Sequence, residues 1–365
     1  MNRGPVAEID LSALQHNLSI LRKRINDRPV IAVVKADAYG HGAPEISRRL
    51  LEEGVGTLAV AFTGEAKKLR EAGIAAPIIV LFDRDDPSDY FDFHLTPVLQ
   101  DVATAERLSR EAGRRDARLG VHLKIDTGMG RIGFRAEEAV AVAERIAGMK
   151  GLEITGLMSH FSEADLADRS YAERQLRIFS GIRAEMTGRL GCPLLCHMAN
   201  SAAALSLEDA VFDAVRPGLL LWGYSPFPEQ YGLRPLMKIR TRVLALRAMA
   251  AGCPVSYGRT FVTSRPSRIA VVPLGYADGY SRHFSNNAEM LVRGVRVPVA
   301  GRVCMDLTML DVTDVPGVAE GDEVVVLGRQ GGESISACEL APKAGTIPYE
   351  ILTSLGRAAR KEYHS

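Results

Sequence analysis

A lysine at the end of a predicted buried strand is the first residue that could do chemistry. Lys35 follows the apolar run Val30–Val34 and begins the loop KADAYGHG, which also carries Tyr39. A desolvated lysine has a lowered pKa, and its neutral amine can form a Schiff base or act as a base. The alternative is a strand-end lysine whose amine extends to water.

Other polar residues share this position just beyond an apolar run. They are Lys124 and Arg131 in LKIDTGMGRIG, His160 in MSHF, His197, Asn200 and Ser201 in CHMANSAA, and Arg216 in VRPG. A random scatter would place some of them at strand starts. We therefore expect one site at the carboxyl ends of the strands, where the catalytic groups of a (β/α)₈ barrel lie.

Two local motifs admit other interpretations. GMGRIG matches the dinucleotide-binding pattern G-x-G-x-x-G, but Glu153 lies at the start of the next strand, whereas that pattern needs an acidic residue at its end. Cys192, Cys196 and His197 could suggest a metal site, but C-x₃-C-H lacks the zinc spacing and a second ligand pair. We interpret GMGRIG as a loop and the cysteines as structural thiols, with no metal expected.

The elements that must position these residues alternate between helical and apolar stretches. Ser12 and Gln15 predict a capping box at the start of the first helix, whose leucines repeat at 3,4 spacing. Near-continuous apolar strands between helices are typical of a parallel sheet, and eight of them predict an α/β fold with an N-terminal (β/α)₈ TIM barrel. The eight runs are Val30–Val34, Thr57–Ala61, Pro77–Phe82, Leu95–Leu99, Val121–Ile125, Ile154–Ser159, Leu194–Met198 and Phe212–Val215.

A second, mostly β domain is expected after the barrel. The chain has 365 residues, whereas one barrel uses roughly 250. We place the barrel at residues 1–230 and the β domain at 231–365, where only the last forty residues look helical. Its clusters VSYGRTF, GYADGY and GRVCMD contain Tyr257, Tyr276 and Met305, although glycine-flanked tyrosines in β domains are often packing residues. The predicted strands are Lys238–Leu246, Ile269–Pro273, Met290–Val299, Thr308–Val312 and Glu323–Leu327.

Composition excludes several classes of partner. The 45 Lys and Arg residues nearly balance 44 Asp and Glu, so no basic stripe predicts binding to nucleic acid or a membrane surface. No apolar run approaches the length of a membrane span, and the N-terminus lacks a secretory signal. Five scattered cysteines argue against a disulfide framework. We expect a cytoplasmic protein.

Nine motifs together resemble the alanine racemases, which use pyridoxal 5′-phosphate (PLP) in bacterial cell-wall metabolism. The resemblance covers residues 6–356 and implies a barrel, a C-terminal β domain and a homodimer whose active sites are shared between subunits. It also implies interconversion of L- and D-alanine, supplying D-alanine for peptidoglycan. The motifs are AVVKADAYGHG, HLKIDTGMGRIGF, MSHF, MANSAA, VRPG, VSYGRTF, PLGYADGY, GRVCMD and TIPYEIL.

The resemblance assigns roles residue by residue. Lys35 corresponds to the lysine that holds PLP, and Lys35 and the partner subunit's Tyr257 correspond to the two catalytic bases. Arg131, Tyr276 and Met305 fall at substrate-binding positions. Lys124 falls where the family often has a carbamylated lysine whose negative charge holds Arg131, and His197 is a further supporting position. The implied cofactor-binding residues are Lys35, Tyr39, His160, Asn200, Ser201, Arg216, Gly218, Leu219 and Tyr349.

Arg216 gives the resemblance a physical reason. In the family this position hydrogen-bonds the pyridine nitrogen of PLP, where many PLP enzymes place a carboxylate. Arginine stays protonated in proteins, so it donates to this nitrogen and leaves it unprotonated. The ring then withdraws less charge from Cα, which favours reprotonation at Cα over transamination.

Three other functions fit the motifs less well. An amino-acid decarboxylase of related fold would be expected to use a Cys and an acidic residue in place of Tyr257, and Cys304 gives that reading some support. A PLP carrier would end after the barrel. Broad-specificity racemases are typically exported, and Met305 suggests a small pocket suited to alanine rather than serine.

Overall fold

Short strands rich in Val, Ile and Leu alternate with helices through the first part of the chain. The computed structural model describes residues 4–229 and 231–365. It divides into a barrel unit, Leu14–Ala36 with Ala43–Arg234, and a β unit formed by the chain up to Ala13, Asp37–Gly42 and Pro235–Ser365. The elements up to Ser206 are β1 Val6–Asp10, α1 Leu11–Arg24, β2 Ile31–Val33, α2 Lys35–Tyr39, α3 Ala43–Glu52, β3 Thr57–Val60, α4 Thr63–Glu71, β4 Ile78–Val80, α5 Pro87–Asp92, β5 Leu95–Leu99, α6 Val102–Arg115, β6 Leu119–Asp126, β7 Phe134–Arg135, α7 Ala139–Ala147, β8 Leu152–Met158, α8 Ser170–Leu190, β9 Leu195–His197 and α9 Ser201–Ser206.

The barrel unit closes into a ring of parallel strands. β2, β3, β4, β5, β6, β8 and β9 pair in this order, and β7 pairs with the end of β6. Bridges join Ala214 to His197 and Val215 to Val30, so the segment around Val215 is the eighth strand and connects β9 back to β2. The predicted TIM barrel is confirmed. The carboxyl ends of its strands therefore share one rim.

The first helix begins with a different cap from the predicted one. The Asp10 carboxylate accepts the backbone N–H groups of Ser12 and Ala13, at 2.8 and 3.0 Å, and the Ser12 hydroxyl donates to the same oxygen. The predicted Ser12–Gln15 capping box is wrong, because α1 already includes both residues. Aspartate at this position also complements the positive end of the helix dipole.

The β unit contains one large mixed sheet, a three-stranded sheet and a hairpin. The large sheet has the order β16-β15-β18-β10-β1-β20 with β19 on β18, the smaller one is β11-β14-β17, and the hairpin is β12-β13. The remaining elements are β10 Met237–Arg242, β11 Ala245–Met249, β12 Pro254–Val255, β13 Phe261–Val262, β14 Ser267–Val272, β15 Glu289–Val292, β16 Val295–Pro298, β17 Thr308–Asp311, β18 Glu323–Gln330, β19 Glu333–Ile335, α10 Ala337–Lys343, α11 Pro348–Ala358 and β20 Arg360–His364.

The first and last of the described strands, β1 and β20, both belong to the large sheet. β1 pairs antiparallel with β10 and parallel with β20, which places Val6 opposite Arg360. The expected domain boundary at residue 230 lies outside the described residues. A single boundary there would also assign β1 and Asp37–Gly42 to the barrel, whereas both belong to the β unit. Two of the predicted strands are each divided in two, into β10 and β11 and into β15 and β16, because the first is interrupted at Val243 and Leu244 and the second turns at Arg293 and Gly294. No helix in residues 4–229 or 231–365 is long and apolar enough to cross a membrane.

The cap of α1 gives a stability prediction. Asp10→Ala removes the acceptor of two helix N–H groups and is expected to cost about 1 kcal/mol, which lowers the melting temperature by a few degrees. Ser12→Ala loses only the hydroxyl bond to Asp10 and is expected to shift the melting temperature by less than half as much. Thermal unfolding followed by circular dichroism measures both variants. Equal shifts would mean that Asp10 is not the cap.

Candidate active site

A buried arginine is fixed at the rim of the barrel by main-chain carbonyls and histidines. Arg216 is 5% exposed and follows the eighth strand. One of its terminal nitrogens donates to His197 Nδ1 at 2.7 Å and to the His197 carbonyl at 2.6 Å. The other donates to the carbonyls of Ser159 and Met198 and lies 3.4 Å from His160 Nδ1. No carboxylate is among the recorded partners of Arg216 in the described chain.

Burial and the charge of this cation keep the neighbouring histidines neutral. Burial, together with the charge of Arg216, lowers the pKa of His160 and of His197 well below its usual range. Burial lowers the pKa of Arg216 itself to about 9, so the guanidinium remains charged at neutral pH. The site therefore contains one fixed positive charge flanked by neutral imidazoles that can accept its hydrogen bonds.

Lys35 follows β2 and has a depressed basicity. Burial lowers its pKa, the charge of Arg131 lowers it further, and the carboxylate of Glu65 partly offsets both. The amine lies 5.5 Å from the centre of the Phe82 ring, and the Arg131 guanidinium lies 5.6 Å from the same ring. The reactive-amine interpretation of Lys35 is thus favoured over a fully solvated lysine.

Two residues around Lys35 were not identified from the sequence. Glu65 accepts the N–H of Ala36 at 2.6 Å and that of Ala61 at 2.7 Å, which fixes the backbone just after the lysine. The sequence did contain a signal for Glu65, because a glutamate in the first turn of a helix that follows a strand can accept backbone N–H groups near the strand end. Phe82 contacts two cations, and its position at the end of a predicted strand gave no indication of this.

The chain leaves Lys35 through a left-handed turn. Four consecutive non-glycine residues, Ala36 to Tyr39, have φ between 52° and 57°. L-residues rarely adopt this conformation in succession, so the surrounding structure must impose it. Within the β unit, a Cβ on Gly40 would lie 2.7 Å from the carbonyl oxygen of Leu352 in α11, so the turn approaches this helix closely. The rings of Tyr39 and Tyr349 lie 5.9 Å apart in this unit.

Lys124 lies inside the barrel unit on β6. Its side chain is among the largest that are fully buried, and no ion pair to it is recorded within residues 4–229 and 231–365. Burial lowers its pKa to about 7, with further contributions from Arg216 and Arg131. A substantial fraction of this amine is therefore uncharged at neutral pH.

The GMGRIG segment is a loop organised by a carboxylate. Asp126 accepts the N–H groups of Gly128, Met129 and Gly130 at 2.8–3.1 Å. The segment leads into the short strand β7, and α7 begins only at Ala139. A dinucleotide fingerprint would open a helix directly, so the interpretation as a loop is supported. This loop carries the exposed Arg131.

Backbone N–H groups converge beyond the last strands of the barrel. Asn200 caps α9 by accepting the N–H of Ala203, and Ser201 is the first residue of this helix. The Ser201 hydroxyl accepts the N–H of Gly218 at 3.0 Å. Leu219 is 2% exposed, and its N–H has no acceptor among the described residues. Buried donors of this kind suit an anionic ligand such as a phosphate.

The β unit presents a separate group of exposed residues. Tyr257 and Met305 are 69% and 54% exposed and line one surface pocket with Ser256 and Cys304. The N–H of Tyr276 donates to the carbonyl of Cys304 at 3.1 Å. Ser256 has a φ of 64°, a strained conformation for serine that sets the direction of the turn carrying Tyr257. Tyr276 is also 44% exposed, so neither tyrosine is a buried packing residue of the β unit.

The cysteines and His197 do not form the alternative metal site. Both ring nitrogens of His197 are already engaged, by Arg216 and by His122. Burial raises the pKa of Cys196 to about 11, which disfavours the thiolate form that binds metals. Within the described residues, no group of three His, Cys, Asp or Glu side chains could hold a metal ion.

Comparisons with known proteins place the chain among enzymes that combine this barrel with this β domain. The alanine racemase N-terminal domain profile matches residues 9–226, and the C-terminal domain profile matches residues 236–363. The alanine racemase of Thermodesulfovibrio yellowstonii is 50% identical over 367 residues, covering 100% of this chain and 98% of the relative. That of Halothermothrix orenii is 42% identical, covering 100% and 97%.

Solved structures agree with the sequence relatives. An alanine racemase from D-cycloserine-producing Streptomyces lavendulae superposes with a TM-score of 0.94 at 32% identity, covering 100% of this chain and 98% of that chain. The enzyme of Bacillus anthracis with bound L-Ala-P gives 0.91 at 34% identity, covering 100% and 96%. The fold and site define an isomerase acting on amino acids. The chain belongs to the alanine racemase family.

The buried lysine gives a prediction on stability. Lys124→Met is expected to raise the unfolding midpoint at pH 7, because the folded protein holds an amine whose pKa is about 7 against 10.5 when unfolded. Between these values the unfolded chain binds one more proton, so the stability of the wild type rises with pH and the gap between the two proteins narrows towards pH 10. Urea unfolding at pH 7 and 9.5 in CO₂-free buffer measures the difference in midpoint between Lys124→Met and the wild type.

A surface lysine provides the control for that measurement. Lys150 is exposed, so Lys150→Met is expected to leave a difference in midpoint that does not change with pH. A gap between Lys124→Met and the wild type that stays constant or widens with pH would contradict the depressed pKa of Lys124.

Proposed function

We propose that the protein interconverts L- and D-alanine with pyridoxal phosphate as cofactor. The observation that carries the proposal is the buried Arg216, a permanent hydrogen-bond donor held by neutral groups instead of a carboxylate. A donor of this kind at the pyridine nitrogen leaves the nitrogen unprotonated and favours return of the proton to Cα. Family membership supports the same activity.

The donor set fits the cofactor. The Lys35 amine, whose pKa burial lowers, suits covalent attachment of an aldehyde. The buried N–H of Leu219 has no acceptor in the described chain, and together with Gly218 and the Ser201 hydroxyl it suits a phosphate. When bound, pyridoxal phosphate withdraws electrons from the substrate Cα and so makes its proton removable.

Further residues are assigned to the cofactor and substrate by their family positions. Asn200 orients Ser201 by capping α9, and the neutral ring of His160 would pack against the cofactor. Tyr39 and Tyr349 would add phenolic hydroxyls to the phosphate. Arg131 would bind the substrate carboxylate, since an exposed loop guanidinium matches a carboxylate bidentately.

Two bases on opposite faces of Cα would move the proton. Lys35 would act on one face after the substrate releases it. The partner subunit's Tyr257 would act on the other, in a homodimer with shared sites. The exposure of Tyr257 and Met305 is consistent with a surface that meets another chain. Tyr276 and Met305 would then narrow the pocket around a small substrate. We further infer a cytoplasmic role in supplying D-alanine for peptidoglycan.

A chiral assay tests the activity. Purified protein incubated with pyridoxal phosphate and L-alanine is expected to produce D-alanine, with serine converted more slowly and no CO₂ released. Chiral chromatography across a panel of amino acids measures specificity, and a CO₂ electrode tests decarboxylation. An unchanged enantiomer ratio for alanine would refute the proposed function, and CO₂ release would indicate the decarboxylase.

Isotope exchange tests the two bases. Tyr257→Phe is expected to lower net racemisation by about 10²–10⁴-fold. The loss must be equal in both directions, because the enantiomers have equal free energy. The informative readout is therefore exchange of the α-proton for deuterium in D₂O. In Tyr257→Phe, Lys35 should still catalyse this exchange for D-alanine, whereas exchange of the α-proton of L-alanine should be lost. Tyr231→Phe, a hydroxyl removal outside the proposed site, is the control. Retained exchange of L-alanine would exclude Tyr257 as its base.

The state of Lys124 is a separate test. A neutral amine attacks CO₂, forms an N–C bond and releases a proton, so Lys124 is expected to become a carbamate that pairs with Arg131. Carbon-13 NMR in labelled bicarbonate is expected to show a carbamate signal that Lys124→Met lacks and Lys150→Met keeps. The same spectrum from wild type and Lys124→Met would show that Lys124 is not carbamylated.

A further inference from the structure

Another buried histidine, which the proposed function does not use, lies next to His197. His122 is on β6 and is 4% exposed. Its Nδ1 lies 2.9 Å from His197 Nε2, and the two rings are 5.0 Å apart between centroids. Since His197 Nδ1 lies 2.7 Å from Arg216, the three side chains form one continuous chain of hydrogen bonds inside the barrel unit.

Arginine sets the direction of every bond in this chain. A guanidinium can only donate, so His197 Nδ1 must accept from Arg216. A neutral His197 then carries its proton on Nε2 and donates to His122 Nδ1. His122 must in turn carry its own proton on Nε2. Donation therefore runs from Arg216 to His197 to His122, and protonation of His122 would place two donors against each other.

The neutral state of His122 agrees with its surroundings. Burial lowers the pKa of His122 to about 4, and the charge of Arg216 contributes. The other charged group on the same face of β6 is Lys124, two residues further along the strand. From the packed strands, His197 faces His122 from β9 and Arg216 follows the eighth strand. No acidic side chain is recorded as a partner of His122 in the described chain.

The barrel provides a fitted space for the His122 ring. Gly156 pairs with His122 in the adjacent strand β8, and a Cβ on this glycine would lie 2.6 Å from Cδ2 and Nε2 of the ring. The pairing of β6 with β8 is also shifted between Val121 and His122, an irregularity of the kind that re-aims a side chain. The ring thus has little room to move away from His197.

We propose that His122 is a positioning residue for Arg216. By accepting the Nε2 proton of His197, it selects the tautomer of His197 that presents a lone pair to the guanidinium. The opposite tautomer would place an Nδ1–H against an Arg216 N–H at 2.7 Å. The inference rests on the proposed function in one respect only. Arg216 would meet the ring nitrogen of the cofactor, so displacing Arg216 would slow catalysis.

Nitrogen-15 NMR of ring-labelled histidine tests the tautomers. The chain has eight histidines, so the spectrum of the protein with pyridoxal phosphate bound is small enough to assign with His122→Gln and His197→Gln. The wild type is expected to show His122 and His197 as neutral Nε2–H tautomers from pH 6 to 9. An Nδ1–H tautomer or a protonated ring at His197 would overturn the proposal, whether or not the protein racemises alanine.

Two substitutions of His122 separate its hydrogen bond from its volume. His122→Gln keeps a carbonyl acceptor and is expected to retain the Nε2–H tautomer of His197. His122→Phe keeps the ring volume but has no acceptor, so His197 is expected to lose its preference for the Nε2–H tautomer. In His122→Phe, kcat should fall roughly 10-fold equally in both directions with KM for alanine nearly unchanged, because His122 does not touch the substrate. An unaltered His197 tautomer and kcat in His122→Phe would overturn the proposal.

Gly156→Ala supplies the independent variant if His122→Phe does not fold. It displaces the His122 ring without changing any titratable group, and is expected to disturb the His197 signal in the same way. His364→Gln changes an exposed histidine on β20 and should leave the His197 signal and kcat unchanged. An intact His197 signal in Gly156→Ala would count against the proposal.

Discussion

The electrostatic constraint on which the barrel unit depends is the buried guanidinium of Arg216, which has no carboxylate partner among the described residues. A charge that is removed from water needs either an opposite charge or a full set of hydrogen bonds, because desolvation otherwise costs several kcal/mol. Arg216 has the second solution, with three main-chain carbonyls and two imidazoles as partners. Burial lowers the pKa of His160, His197 and Lys124, and the charge of Arg216 lowers each of them further. The cation therefore reinforces the neutral state that burial favours in these groups.

The hydrogen bonds of Arg216 also explain why the strands that end at this rim must be held in a fixed register. The acceptors are carbonyls at the ends of β8 and β9, so the guanidinium is positioned only when these strands are in register. Lys35 depends similarly on the backbone that Glu65 holds at Ala36 and Ala61. The reactive groups are therefore placed by the main chain of the barrel more than by contacts with one another.

The sequence predicted the barrel and the rim well, for a physical reason. Buried parallel strands must be apolar over their whole length, so each one is visible, and each polar residue that follows marks the same edge. Lys35, His160 and Arg216 were identified on this basis. β1 was missed because it has only five residues and its polar Glu8 and Asp10 flank Ile9, so it lacks the continuous apolar run of a buried parallel strand. Its pairing with β20 depends on contacts more than 350 residues away along the chain.

Other features could not be read from local pattern. The cap at Asp10 was assigned to Ser12 because both types cap helices, and only the helix start distinguishes them. Phe82 gave no signal of its role, since its two cations lie on other segments of the chain. His122 lies in a predicted apolar strand, and nothing in that strand indicates that its ring fits against Gly156 in the next one.

The joining of β1 to β20 also sets an order of events during synthesis. β20 is translated about 350 residues after its parallel neighbour β1, so this pair of strands cannot form until β20 has left the ribosome. The left-handed turn after Lys35 belongs mostly to the same late-forming unit. A chain that stops before β20 would therefore carry the reactive lysine next to a turn whose own unit is still incomplete.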